Sequence, residues 1–273
     1  LRESLYRDAV LMQEPGRSFS YSNAGFNLLE LLVEEVTGRD FAEYMRTEVL
    51  VPLGMRNSSY EWNAEMRPPV PPGHDTNGRA VPVYVYPEKA AGGLFSTVGD
   101  IAAFVTAGMT RFSHERHDVL SARSIAALYA PRVKIPGLYG LAFDAYGFGH
   151  FIERFSDGTF AVSHGGQGTG WMTHFHSVPG TGDGIVILTN SQRSWPFFAE
   201  ILGDWAAWCG LPGVGMGLIV KGQKILWALI ALAALAAFAQ GVRLVRGLAV
   251  GRRSFAPLAS LHRGPRAAQF ALA

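Results

Sequence analysis

The amino-acid sequence predicts an α+β protein in which an antiparallel sheet is flanked by helices, with a helical lobe and a C-terminal transmembrane helix. Three features of the apolar residues support this fold class. They recur at helical spacing in the first half of the chain, alternate with a period of two from Tyr139 onward, and form a long unbroken run from Ile225. Helices followed by antiparallel strands are typical of α+β architecture.

Composition divides the chain into unlike parts. The 273 residues are 48% hydrophobic and 17% charged, which allows one or two domains with a sizeable core. All 22 acidic residues precede residue 216, whereas the remaining residues include eight basic ones. We therefore predict a globular domain over 1–210, a linker over 211–224, a transmembrane helix over 225–242 and a basic tail over 243–273.

The first predicted helix begins directly after Tyr21. Apolar residues follow at a spacing of three and four, Ser22 and Asn23 are the candidate N-caps, and Gly38 is the candidate stop. A second helix over 40–50 begins with a capping-box-like pattern. The sequence thus places a Tyr-Ser-Asn tripeptide at a helix N-terminus.

A long loop and two further helices follow. Six prolines between residues 61 and 89 predict an irregular loop, and loops of this length are often functional. Thr97 is the candidate cap of a helix that ends near Gly108, and a short helix follows Ser121.

Period-two alternation then predicts an antiparallel meander, with turns such as Asp157-Gly158 and Pro179-Gly180 between its strands. We predict strands over 139–148, 150–155, 160–164, 171–178 and 184–190. A last amphipathic helix, over 196–208, is predicted to pack on this sheet.

The apolar run suits a membrane span. Ile225 to Ala239 holds 15 apolar residues, and tolerating two interruptions extends the run to Val242. Eighteen helical residues span roughly 27 Å, close to the ~30 Å of a bilayer core. Lys224 and Arg243 bracket the run and can reach the two interfaces. A buried core helix is the alternative.

The distribution of basic residues predicts the orientation of this helix. Two lysines precede the run and six arginines follow it. The positive-inside rule places the C-terminal tail in the cytoplasm and the globular domain outside it. A nucleic-acid surface is disfavoured because the arginines adjoin an apolar helix and lack interleaved aromatic residues.

Several motifs occur in an order that carries a resemblance. They are Tyr21-Ser22-Asn23 followed by Gly25-Phe26, then Pro52-Leu53-Gly54-Met55, Ala91-Gly92-Gly93-Leu94-Phe95-Ser96-Thr97, His164-Gly165-Gly166, and Leu188-Thr189-Asn190. Over roughly residues 1–208 the chain resembles the serine β-lactamase and penicillin-binding-protein superfamily, in its class C and D-alanyl-D-alanine carboxypeptidase-like branch. The resemblance implies an acyl-enzyme mechanism with Ser-x-x-Lys, Tyr-x-Asn and Lys/His-x-Gly motifs.

The resemblance assigns roles to the Tyr-Ser-Asn motif. Tyr21 would carry the proton of the serine nucleophile, and its phenol, with an ordinary pKa of about 10, needs nearby positive charge to do so. Asn23 would offer its amide to a substrate carbonyl or help to hold the lysine. Ser22 is interpreted as a cap. The alternative is that all three residues only initiate the helix.

The resemblance also assigns roles around His164, which stands where many relatives have lysine. His164 would face the substrate, with a charge that varies near pH 6.5. Gly165 and Gly166 would keep side chains away from the strand edge, and the backbone N–H of Gln167 would be an oxyanion donor. The alternative is an edge-strand histidine beside a glycine turn.

No metal or cofactor is predicted. His174 and His176 share one face of a strand, and we expect both at the surface. His114 and His117 lack the spacing of a zinc motif. The glycines over 166–170 resemble a nucleotide loop only superficially, since no Gly-Lys-Ser/Thr follows.

The Ser-x-x-Lys motif does not occur in the sequence. None of the four lysines has serine three residues earlier, and no Gly-x-Ser-x-Gly elbow supplies another nucleophile. We expect that the chain is N-terminally truncated, inactive as it stands, incomplete in its sheet, and left with exposed apolar surface.

Two functions follow from this. The first is a membrane-anchored serine hydrolase, acting outside the cytoplasm on β-lactams, D-amino-acid peptides or small esters. The second is a non-catalytic binding or sensory pseudoenzyme. The expected partners are a small-molecule or peptide substrate and the membrane, but no nucleic acid.

Overall fold

The computed structural model describes residues 10–110 and 119–253. Its helices are α1 (Asn23–Thr37), α2 (Phe41–Met45, continued by a π-helical turn at Arg46–Leu50), α3 (Val98–Ala107), α4 (Ala122–Leu128), α5 (Trp195–Trp208) and α6 (Met216–Ala249). Its strands are β1 (Gly73–His74), β2 (Ala80–Val81), β3 (Val133–Lys134), β4 (Ala145–Tyr146), β5 (Phe151–Arg154), β6 (Phe160–Gln167), β7 (Met172–Val178) and β8 (Asp183–Thr189).

The helix caps lie where the sequence predicts them. The side chain of Ser22 accepts a hydrogen bond from Gly25 N at 3.1 Å, and Gly38 ends α1 with a φ of 69°. Thr97 caps α3 in the same way, accepting from Asp100 N at 3.3 Å. These boundaries were predictable because each cap is a local hydrogen bond.

Six strands form one antiparallel sheet in the order β3-β4-β5-β6-β7-β8. The predicted strand over 139–148 is wrong. A 3₁₀ helix occupies Gly137–Leu141, and only Ala145–Tyr146 pairs in this stretch. Gly137 has a φ of 66°, and a Cβ at Gly140 would lie 2.6 Å from the carbonyl oxygen of Ile135. The chain therefore turns tightly here instead of extending.

The predicted surface positions of His174 and His176 are also wrong. The two side chains are 6% and 0% exposed. Alternate β7 residues face α5, where the His174 ring lies 6.1 Å from that of Phe198 and the His176 ring 5.6 Å from that of Trp205. Helix α5, which we predicted to pack on the sheet, buries both side chains.

Helix α1 buries a carboxylate and exposes much of its apolar face. Glu30 is the one buried residue of α1, and its Oε2 accepts a hydrogen bond from Ala90 N at 2.7 Å. Four apolar side chains of the helix are 47% to 75% exposed, namely Leu28, Leu29, Leu32 and Val36. Exposed apolar surface was predicted, and α1 carries it.

The described residues up to Val220 and those from Lys221 form two separate units. Helix α6 has 34 residues, and a window of it has a mean hydropathy of 2.2, so it is long and apolar enough to cross a membrane. It extends beyond the predicted span of 225–242 at both ends. Residues 216–224 of the predicted linker and 243–249 of the predicted tail are therefore helical.

Candidate active site

Strand β6 has an open edge along its last four residues. Its partner β5 begins at Phe151, which pairs with Ser163, whereas residues 164–167 continue with pairing to β7 alone. The sheet therefore presents unpaired backbone groups over these four residues, as an edge strand does.

The hydrogen-bond pattern fixes which groups face this open edge. At the end of the β6–β7 hairpin, Gly168 N donates to Trp171 O at 2.9 Å and so points toward β7. Successive N–H groups of a strand point to opposite sides. The N–H groups of Gln167 and Gly165 therefore point to the open edge, as an oxyanion donor at Gln167 requires.

Each glycine of the His-Gly-Gly motif is closely packed. A Cβ at Gly166 would lie 2.7 Å from Oγ1 of Thr173, and a Cβ at Gly165 would lie 3.2 Å from Nδ1 of His174. Gly166 shares its face of the sheet with His164, whereas Gly165 faces α5. Only Gly166 thus keeps the face beside His164 clear of a side chain.

Tyr21 precedes α1 and lies beside the open edge. Its ring centroid is 6.0 Å from that of His164, and the side chain is 52% exposed. Burial of the other half raises the pKa of Tyr21 above its ordinary 10.0. The resemblance implied a nearby cation that lowers the pKa of Tyr21. Among the described residues, none lowers it.

Tyr146 is a site residue that the sequence did not reveal. Its hydroxyl lies 3.2 Å from Nε2 of His164, and Phe19 packs on its ring at 5.2 Å. No motif marks Tyr146. It reaches His164 because β4 pairs with β5 and β5 with β6, so the signal lies in the strand register and not in the local sequence.

Both groups of this pair are neutral at pH 7. Burial, together with the nearby Tyr21, raises the pKa of Tyr146 to about 12. Burial, together with the nearby His150, lowers the pKa of His164 below 6.5. The expectation that His164 titrates around pH 6.5 is therefore corrected to a lower pH.

These residues line one large cleft of about 2250 Å³. Tyr21, Asn23, His164 and the residues 165–167 all contribute to its lining. The predicted loop over 61–89 also lines the cleft, as expected. Asn23 is exposed at the first position of α1, where its amide is free to face a bound molecule.

A buried carboxylate links two segments of the cleft lining. Asp100 Oδ2 accepts hydrogen bonds from Asn57 N and Ser58 Oγ, both at 2.7 Å. The Ser58 hydroxyl in turn lies 2.7 Å from that of Ser96. The turn after Met55 is thereby joined to the Ala91–Thr97 motif.

Within residues 10–110 and 119–253, no group of three or more potential ligands is arranged to hold a metal ion. His114 and His117, which lack the zinc-motif spacing, lie outside the described residues.

The fold is shared with serine β-lactamases and penicillin-binding proteins. Penicillin-binding protein 4 of Amycolatopsis lactamdurans is 28% identical over 70% of this chain and 53% of its own length, and a D-aminopeptidase of Gluconobacter oxydans is 27% identical over 68% and 34%. The octameric penicillin-binding protein homologue from Pyrococcus abyssi has a TM-score of 0.61 at 27% identity, over 73% of this chain and 44% of that one.

A sequence profile of the family described as Beta-lactamase matches residues 3–205. The chain therefore belongs to the beta-lactamase family, a family of hydrolases. It spans about half, or less, of the length of the relatives named above.

Proposed function

We propose that the protein is a serine hydrolase that works through an acyl-enzyme, with Tyr21 as proton carrier and the Gln167 N–H as oxyanion donor. One observation carries the proposal. Tyr21, His164 and the open edge of β6 meet in a single cleft, although the first two lie 143 positions apart in the sequence. A helix cap and an isolated edge histidine would have no reason to meet.

In the proposed mechanism, the serine hydroxyl oxygen attacks the carbonyl carbon of the substrate while its proton passes to the oxygen of ionised Tyr21. The Gln167 N–H stabilises the charge that develops on the carbonyl oxygen. Collapse expels the leaving group, which takes the proton from Tyr21. Water then hydrolyses the acyl-serine by the reverse proton path, which restores the starting state.

The serine and a lysine that lowers the pKa of Tyr21 are proposed to come from a segment outside the 273 residues. Two observations support such a segment. The sequence holds no Ser-x-x-Lys, and the apolar residues of α1, which directly follow Tyr21, lie exposed. Burying them against a further segment would be favourable by about 25 cal/mol for each Å² covered.

The proposed substrates are β-lactams, D-amino-acid peptides or small esters. The names of two relatives, a penicillin-binding protein and a D-aminopeptidase, support the first two of these classes. We further propose that α6 anchors the protein in a membrane. The six arginines that follow its apolar run favour a cytoplasmic C-terminus and an extracytoplasmic hydrolase domain.

The absence of Ser-x-x-Lys from this sequence favours a second candidate, a non-catalytic binding or sensory domain of the same fold. The residues encoded upstream of Leu1 separate the two candidates. A hydrolase requires a Ser-x-x-Lys there, and the full-length protein should hydrolyse at least one substrate of the three classes. A start codon beside Leu1, with no hydrolysis, would contradict the hydrolase and support the binding domain.

A further inference from the structure

An aromatic pair lies next to the proposed oxyanion donor. A Cβ at Gly168, the residue after Gln167, would lie 3.1 Å from the hydroxyl oxygen of Tyr86. The ring of Tyr84 meets that of Tyr86 edge to face, with centroids 4.7 Å apart. Both tyrosines line the cleft, and Tyr84 is 51% exposed. The cleft therefore has an aromatic wall at the end of β6.

Two glycines allow the Tyr86 ring to lie close to the neighbouring backbone. Gly168 and Gly92 flank the Tyr86 ring, and a Cβ at Gly92 would lie 3.9 Å from it. The absence of a side chain at Gly168 lets the ring approach the strand closely. Tyr86 thus lies beside the end of the strand that would bind the reacting carbonyl.

A second aromatic pair lines the same cleft. The rings of Trp62 and Phe95 lie 5.3 Å apart, and Trp62 is 38% exposed. Phe95 is held by two backbone hydrogen bonds to Ser59, each of 2.9 Å. Exposed aromatic faces on a fixed backbone are suited to apolar ligands.

Charge is sparse in this cleft. Apart from histidines, whose pKa values burial lowers, only Arg56, Glu61 and Arg67 among the described lining residues are acidic or basic. The Arg67 guanidinium donates to backbone carbonyls of its own loop. His164, at the open edge, is neutral at pH 7 because burial lowers its pKa. A charged substrate group near β6 would lose its hydration, and apart from the lysine proposed for Tyr21 it would gain no partner of opposite charge at the open edge.

We propose that Tyr84 and Tyr86 form a subsite for an uncharged aromatic group of an amide or ester substrate. The inference rests on the proposed function for the reaction, but binding alone can test it. A phenyl group that packs against the two rings buries apolar surface and gains an aromatic contact, which together favour it over a methyl group by about tenfold.

The kinetic test uses the full-length protein with two 4-nitrophenyl esters, phenylacetate and acetate, each rate normalised to hydrolysis by hydroxide. We expect a kcat/KM ratio of about ten in favour of phenylacetate. The ratio should fall to about one in Tyr86→Ala and be kept in Tyr86→Phe, which retains the ring. Trp208→Ala removes an exposed aromatic residue outside the cleft lining and should keep the ratio. A parent ratio of one, or a ratio that Tyr86→Ala leaves unchanged, would overturn the subsite.

A binding measurement separates this inference from the proposed function. If neither ester is hydrolysed, the hydrolase proposal fails, and calorimetric titration with phenylacetamide and acetamide decides the subsite. We expect phenylacetamide to bind about tenfold more tightly, with the difference lost in Tyr86→Ala. Equal affinities would overturn the subsite whatever the chemistry of the protein.

Discussion

The hydroxyl of Tyr146 lies 3.2 Å from Nε2 of His164. Burial raises the pKa of Tyr146 to about 12, so its hydroxyl keeps its proton at neutral pH. We assign this hydroxyl as the donor to His164, an assignment that the Tyr146→Phe variant tests. Nε2 is then the acceptor, and the proton of the neutral imidazole lies on Nδ1. His164 is therefore an oriented hydrogen-bonding group and not the permanent cation that a lysine would be.

Replacing Tyr146 by phenylalanine should raise the pKa of His164. The hydrogen bond from Tyr146 favours the neutral imidazole, and its loss makes protonation easier. NMR titration of the imidazole measures this directly, and we expect kcat/KM to fall by about tenfold because the ring is no longer oriented. Tyr129→Phe is the control, since Tyr129 contacts His150 instead. A His164 pKa that does not move would disprove the pairing.

In the full-length protein, Tyr21→Phe should lower kcat/KM by a factor of about 10² to 10⁴, as the loss of a general acid–base group does. The melting temperature should hardly change, because half of the ring is already in solvent. Tyr139→Phe provides the matched control, since Tyr139 is an exposed tyrosine in the same cleft lining. Parent-level turnover by Tyr21→Phe would remove Tyr21 from the mechanism.

The pH profile should change in His164→Lys. Burial lowers the pKa of His164 below 6.5, so kcat/KM of the parent should change on the acid side of pH 6.5, where the imidazole becomes charged. Lysine keeps one charge state through this range and should flatten that limb. His74→Gln alters a histidine outside the cleft lining and should preserve the limb. If the acid limb of the kcat/KM profile were identical in His164→Lys, a group other than His164 would be responsible for it.

The pH dependence of the free energy of unfolding should reveal a buried carboxyl group, that of Glu153, on the face of the sheet that also carries His176. Oε1 of Glu153 accepts a hydrogen bond from Gly215 N, and Oε2 lies 3.7 Å from Nε2 of His176. That distance would allow an ion pair, but burial lowers the pKa of His176 to about 3 and raises that of Glu153 to about 7. Both groups are thus neutral in mildly acidic solution.

A raised pKa means that the folded state binds the Glu153 proton more tightly than the unfolded state. This contribution is complete below pH 4.5 and is lost as the pH rises through about 7. Glu153→Gln should therefore gain stability relative to the parent between pH 4.5 and 8, by at most about 3 kcal/mol. The lowered pKa of His176 changes stability with pH in the opposite direction. That change is the same in the parent and in Glu153→Gln, so it cancels from their difference. Urea unfolding at the two pH values measures the gain, and Glu200→Gln, at an exposed position, should show none. If the stability difference between Glu153→Gln and the parent were the same at both pH values, the raised pKa of the buried carboxyl group would be contradicted.

Local signals in the sequence predicted much of this fold. The caps at Ser22, Asp40 and Thr97 were predictable because each is satisfied within three residues. The predicted strands over 171–178 and 184–190 correspond to β7 and β8, because each is a short segment rich in β-branched or aromatic residues and the two are separated by the Pro179-Gly180 turn. The motifs around Tyr21 and His164, which the resemblance assigned to one site, both line the same cleft.

Non-local relationships were not predictable in the same way. Alternation in β7 placed His174 and His176 on one face, but only the packing of α5 decides that this face is buried. Tyr146 contacts His164 through the registers of three strands, which no single motif encodes. The exposed apolar face of α1 likewise could not be located from periodicity, since periodicity does not reveal what covers a helix.

The most direct test of the central claim is the intact mass of the full-length protein after treatment with a fluorophosphonate, which phosphonylates activated serines. We predict a single adduct on the serine of a Ser-x-x-Lys segment, formed in the parent and in Tyr139→Phe but greatly slowed in Tyr21→Phe. No adduct on the folded protein, or labelling that Tyr21→Phe leaves unchanged, would contradict an acyl-serine site built around Tyr21 and His164.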